Sequence, residues 1–150
     1  MVNDDKRFIG GAQIFSKDCT VVSNQGRTMN GKVTVTTIST AAAVTYTPDQ
    51  ILGGLILRNT NGAGRADVLP TAALLRAALP EMGVNTGFEF TIRNTAGAAE
   101  TITVTAGTGC TISGTATIAQ NNSKRFLVVF TNVTPGSDAY TIYSLGTVVH

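Results

Sequence analysis

The chain has 150 residues and 43% hydrophobic content, enough to bury one core, so a single domain is the simplest expectation. Only 13% of its residues are charged, against roughly 25% in an average soluble domain, and the net charge is +2. The basic residues are scattered, with Lys6-Arg7 and Lys124-Arg125 only as pairs, and no basic stripe of the kind that binds nucleic acid is present.

Met1 is followed by Val-Asn-Asp-Asp-Lys-Arg, which lacks the apolar stretch of a signal peptide. The longest apolar runs, such as Phe126–Phe130, are too short to span a bilayer, so synthesis in the cytoplasm with no membrane partner is expected. Cys19 and Cys110 stand far apart and fit no metal spacing.

In chain order, residues 1–31 are polar and punctuated by Gly10-Gly11, Gly26 and Asn30-Gly31, with short strand-like pieces at Gln13–Phe15 and Thr20–Val22. This segment reads as an extended arm that orders on contact with another molecule, and residues 32–150 read as a β-rich domain. From Lys32 to Ile38 apolar residues alternate with Thr, the period of a half-buried strand. Ala43–Thr47 is strand-like, and Thr47-Pro48-Asp49-Gln50 has the chemistry of a helical-turn start. Leu55–Arg58 is the next strand. One short helix is expected over residues 70–79, where Pro70 opens the run, Pro80 closes it and Leu74, Leu75 and Leu79 form a stripe that covers the core.

Beyond Gly87 strands recur at hairpin spacing. Phe88, Phe90 and Ile92 point one way, while Glu89, Thr91 and Arg93 point the other, with Glu89 and Arg93 as a solvated or interface ion pair. Thr101–Thr105 and Thr111–Ile118 read as two strands of a hairpin turning at Gly107 and Gly109, with Gly114 as a bulge or close approach. Phe126–Phe130 is apolar on both faces and is expected to be central and doubly covered. Ala139–Leu145 is the last strand. The pattern predicts a mainly β fold, an antiparallel sandwich or barrel with that one helix and the N-terminal arm.

Catalytic inventory is thin. The single histidine is His150, which removes Ser-His-Asp and Cys-His arrangements and zinc sites built on several histidines. The nine carboxylates form no DxD, ExxH or calcium-loop pattern. Gly107-Thr108-Gly109 has Ile112 where a dinucleotide loop needs its third glycine, and a strand follows it where a helix is required. No enzymatic activity, cofactor or metal is expected. One weak echo remains: Leu57-Arg-Asn-Thr-Asn-Gly resembles Ile92-Arg-Asn-Thr-Ala-Gly, which would set Arg58 and Arg93 side by side on one rim. With Lys6, Arg7 and Phe8 of the arm, these two arginines are the candidate interface residues.

Several runs carry a resemblance. They are Gln50-Ile-Leu-Gly-Gly-Leu-Ile-Leu-Arg58, Asn61-Gly-Ala-Gly-Arg-Ala-Asp67, Leu69-Pro-Thr-Ala-Ala-Leu-Leu75, Phe88-Glu-Phe-Thr-Ile-Arg-Asn94, Ile118-Ala-Gln-Asn-Asn-Ser-Lys124 and Tyr143-Ser-Leu-Gly-Thr-Val-Val-His150. Together, over residues 48–150, they resemble the capsid decoration (cement) proteins of tailed bacteriophages. The resemblance implies a structural virion protein on the capsid surface, a homotrimer that binds across subunits of the major capsid protein and stabilises the shell. It transfers no individual site residue. The alternative, from a different class, is a receptor- or glycan-binding module of a head fibre or tail tip.

Overall fold

The computed structural model describes residues 33–150 throughout and, before them, the backbone of four short strands. The chain divides into two compact units, Met1–Val33 and Thr34–His150. In the first, β1 (Phe8–Ile9), β2 (Ala12–Ile14), β3 (Thr20–Val22) and β4 (Thr28–Asn30) form an antiparallel sheet in sequence order. The segment expected as an extended arm is therefore strand-forming. Ile9 opposite Ala12 leaves only two residues between β1 and β2, the spacing of a tight hairpin.

The second unit is mainly β. Its strands are β5 (Thr34–Ser39), β6 (Gly54–Asn59), β7 (Arg65–Val68), β8 (Gly87–Asn94), β9 (Ile102–Thr105), β10 (Cys110–Ser113), β11 (Thr117–Ile118), β12 (Asn122–Asn132) and β13 (Ala139–Val149). They form a six-stranded sheet in the order β10-β13-β12-β8-β6-β5 and a three-stranded sheet in the order β11-β9-β7. The sheets' inner faces meet in one core. Ile56, Phe90, Ile92, Phe126, Val128, Phe130, Tyr140 and Ile142 come from the larger sheet, and Ile102, Val104 and Ile118 from the smaller. This is the sandwich-like β fold that the alternation predicted.

The strand directions differ from the antiparallel expectation. β5 and β6, β6 and β8, β7 and β9, and β10 and β13 run parallel, so both sheets are mixed. Alternation has the same period in either direction, and direction is decided by crossover segments long enough to return the chain. Residues 40–53 supply one such crossover, including a second helix, α1 (Pro48–Leu52). Thr47 caps it: its side chain accepts from the Gln50 backbone N–H, and the Gln50 side chain accepts from the Thr47 N–H at 2.9 Å.

The expected helix is α2 (Ala72–Ala78), shorter than residues 70–79 at both ends. Thr71 is its N-cap, and Pro70 lies outside. Leu75 is fully buried and Leu79 partly so, but Leu74 is exposed, so the apolar stripe is narrower than expected.

The stretch 102–118 is a hairpin only at its ends, where Thr117 and Ile118 of β11 pair antiparallel with Thr103 and Ile102 of β9; the segment between leaves that pairing. β9 lies in the three-stranded sheet, whereas β10 joins the six-stranded sheet beside β13, and the turn between them carries the chain from one sheet to the other. Gly107 is obligatory there: a Cβ would lie 2.3 Å from the Leu69 carbonyl oxygen. Gly114, at φ +91°, then breaks the expected second strand into β10 and β11.

Candidate functional site

The most concentrated polar chemistry in the second unit is buried. Arg58 of β6 and Asp67 of β7 are both completely inaccessible to solvent, with Arg58 Nε 2.8 Å from Asp67 Oδ2. Asp67 also accepts from Arg58 Nη2 at 3.3 Å, from the Tyr46 hydroxyl at 2.9 Å and from the Val44 backbone N–H at 3.0 Å. The remaining guanidinium donors reach the carbonyls of Thr40, Ala42 and Asn59. One ion pair thus fastens the loop after β5 to two sheets. Burial, followed by the Asp67 charge, pushes the Tyr46 hydroxyl far above the ordinary tyrosine range, so it stays protonated as a hydrogen-bond donor.

A second cluster lies at the same end of β6 and β8. The Glu100 carboxylate accepts from the Thr60 hydroxyl and from the Gly62 N–H at 2.7 Å. Asn94 donates to the carbonyls of Glu100 and Ile118 and accepts from Ala96 N–H, so its side-chain amide is fully used. Each cluster saturates itself with backbone groups, as a loop-fastening device must. Neither presents a free acid or base to a ligand. Among the described residues no group of three or more His, Cys, Asp or Glu could hold a metal ion.

Cys110 carries a free thiol that burial pushes up, which disfavours the reactive thiolate. The neighbouring Tyr140 hydroxyl, also raised chiefly by burial, donates to the Pro70 carbonyl at 2.6 Å and ties β13 to the start of α2. Lys124 is 5% exposed, and its ammonium donates to the Thr115 carbonyl at 2.7 Å.

Of the candidate interface residues, Lys6 and Arg7 lie outside the described residues, as does the side chain of Phe8. Arg58 and Arg93 are not shown together on a rim. In the parallel β6–β8 pair Leu57 lies opposite Arg93, and Arg58 lies opposite Asn94. The two sequence echoes are therefore one residue out of register, and one residue reverses the face. Arg58 enters the core while Arg93 stays exposed on the outer face. Nor does Glu89 pair with Arg93; it lies 3.6 Å from Arg125 of β12, and both are well exposed.

That outer face is the feature open to other molecules. Leu127 sits between Tyr143 and Glu89, and Val129 between Thr141 and Gly87. Leu55 lies between Val35 and Thr91, and Leu57 between Thr37 and Arg93. Leu55, Leu57, Leu127 and Val129 are only half-buried, while Val35, Tyr143 and Leu145 are exposed. The apolar second face of residues 126–130 was the sequence signal for this surface. β12 is central as expected, but its outer face is only partly covered. The fold and its polar groups thus define a mixed two-sheet β protein with a buried structural ion pair and a Thr- and Leu-lined outer face. No protein family, curated protein or solved structure matches the chain.

Proposed function

We propose that this is a structural virion protein that decorates a tailed-phage capsid and stabilises the shell by binding across subunits of the major capsid protein. The observation that carries the reading is the outer face of the six-stranded sheet. Leu55 and Leu57 of β6 and Leu127 and Val129 of β12 stand on either side of β8, whose Glu89, Thr91 and Arg93 lie between them, and Tyr143 and Leu145 are exposed beyond β12. Aliphatic side chains interspersed with arginines and an exposed tyrosine are a composition enriched at protein–protein contacts. Such contacts, repeated over a shell, add binding energy at every copy.

The test is add-back to capsids purified without the protein. The chain is expected to bind the shell and raise the temperature at which DNA is released. Tyr143→Asp, at a position 41% exposed and hence tolerant for folding, is expected to lower occupancy at least tenfold. Absence of binding by the wild type, or equal occupancy by the variant, overturns the reading. Glycan-array hits combined with no capsid binding would favour the receptor-binding alternative.

A further inference from the structure

The two edges of the six-stranded sheet are not equivalent. At one edge β10 covers only Cys110–Ser113 against Tyr140–Tyr143, and the chain then turns away at Gly114. Past that point β13 is distorted. Arg125 pairs with Gly146 and Phe126 with Ser144, so Leu145 bulges, and Gly146 sits at φ +143°. Short edge strands and bulges are devices that block strand addition.

The opposite edge carries no such device. β5 is six residues of Thr, Val, Ile and Ser, without charge, Pro, Gly or bulge, in uninterrupted register with β6. Val33 and Val35 are 67% and 52% exposed. The Thr34 N–H donates to the Gly53 carbonyl at 2.7 Å and the Thr40 N–H to the Asn59 carbonyl at 3.2 Å, so the even-numbered residues turn their backbone groups toward β6. In a parallel pair each residue's N–H and C=O lie on the same side. Val35, Thr37 and Ser39 therefore direct their donors and acceptors outward, and among the described strands none pairs with them.

We infer that β5 pairs antiparallel with β5 of a second copy of the chain, across a two-fold axis at Thr37. One unprotected edge and one blocked edge exclude head-to-tail growth through the sheet and leave self-pairing as the closed solution. Thr37 then faces its own counterpart and Val35 faces Ser39, so every outward-directed residue exchanges two backbone bonds with its partner. The strand is uncharged, so self-pairing sets no like charges against each other. The pairing also joins the Val35–Leu55 rows of the two copies into one outer surface. A strand from a different protein is the competing occupant. It offers the same backbone bonds, but nothing in the sheet's asymmetry requires it.

The inference does not rest on the capsid reading and is tested without capsids. Sedimentation equilibrium of the full chain is expected to give twice the 15.5 kDa protomer mass. Thr37→Pro removes an outward donor while leaving the β6 bonds intact, and is expected to weaken dimerisation at least tenfold. If that variant fails to fold, Thr37→Lys sets two like charges opposite each other and serves the same purpose. Oxidised Thr37→Cys is expected to give a covalent dimer above the wild-type level, because hydrogen-bonded antiparallel partners lie about 5.5 Å apart at Cα, within disulfide range. Ser39→Cys, placed opposite Val35, is expected to give none. A wild-type monomer at sub-millimolar concentration, a trimer, or a dimer whose affinity folded Thr37 variants do not change overturns the inference.

Discussion

Replacing Asp67 with Asn keeps the side-chain volume and removes one charge from the most deeply buried ion pair among the described residues. In the native fold its two oxygens accept from Arg58 Nε and Nη2, the Tyr46 hydroxyl and the Val44 N–H, all within 2.8–3.3 Å. An amide has one oxygen, and its NH2 faces Arg58 Nε and the Tyr46 hydroxyl in one orientation or Arg58 Nη2 and the Val44 N–H in the other, so at least one guanidinium donor is left unpaired. Arg58 stays charged with no solvent access, and breaking one half of such a pair costs about 3–5 kcal/mol. That is a large fraction of the roughly 5–15 kcal/mol that stabilises a domain. In urea unfolding followed by far-UV circular dichroism, a slope of about 1.5 kcal/mol/M makes this a fall in midpoint of about 2–3 M. The exposed Glu89–Arg125 pair is the internal control: Glu89→Gln is expected to cost under about 0.5 kcal/mol. A midpoint shift for Asp67→Asn no larger than that of Glu89→Gln, at unchanged slope, would refute the claim that the buried pair holds the two sheets and the β5 loop together.

Gly87 faces Val128 so closely that a Cβ would lie 1.9 Å from its carbonyl oxygen. Gly87→Ala is expected to disrupt the β8–β12 pairing and cost at least ~3 kcal/mol, read as a fall in melting temperature; a near-native melt would sink the close-approach argument. The Cys110 thiol, raised by burial, is expected to react with a disulfide reagent more slowly than the same thiol in urea, and faster as pH rises; the measurement uses a Cys19→Ser background. Desolvation lowers the Lys124 pKa below the ordinary 10.5, so the unfolded chain holds more protons in the window beneath that value. Stability is therefore expected to rise with pH through that window in the wild type and to lose that increment in Lys124→Met. Equal pH profiles for the two proteins would show that the ammonium is solvated.

Much of the fold is legible because burial has a period. Phe88-Glu-Phe-Thr-Ile-Arg and Thr34-Val-Thr-Thr-Ile-Ser announce strands, Pro70 announces one helix start, and Thr47 announces the other through its capping chemistry. What the period cannot carry is strand direction or sheet membership. The 102–118 stretch reads equally well as a hairpin or as a step between sheets. The choice falls to Gly107 packing on the Leu69 carbonyl and to Gly114, contacts made with residues distant in sequence.

The arginine pair shows the same limit acting on function. Ile92-Arg-Asn matches Leu57-Arg-Asn by residue type, and side-by-side alignment of the two runs would put both arginines on one face. The structure sets Ile92 opposite Ile56 instead, so core packing decides the register and the arginines take opposite faces. Arg58 can lie inside only because Asp67, nine positions later and in the other sheet, arrives to neutralise it; its surroundings then satisfy every charge. Arg93 meets no such partner among the described residues and marks the outer surface. Once the buried polar residues are committed to holding loops, recognition falls to groups the fold leaves open. These are the Leu- and Val-lined outer face and the outward backbone of Val35, Thr37 and Ser39. The first offers side chains to a neighbour and the second offers hydrogen bonds, so variants at Tyr143 and Thr37 separate the two.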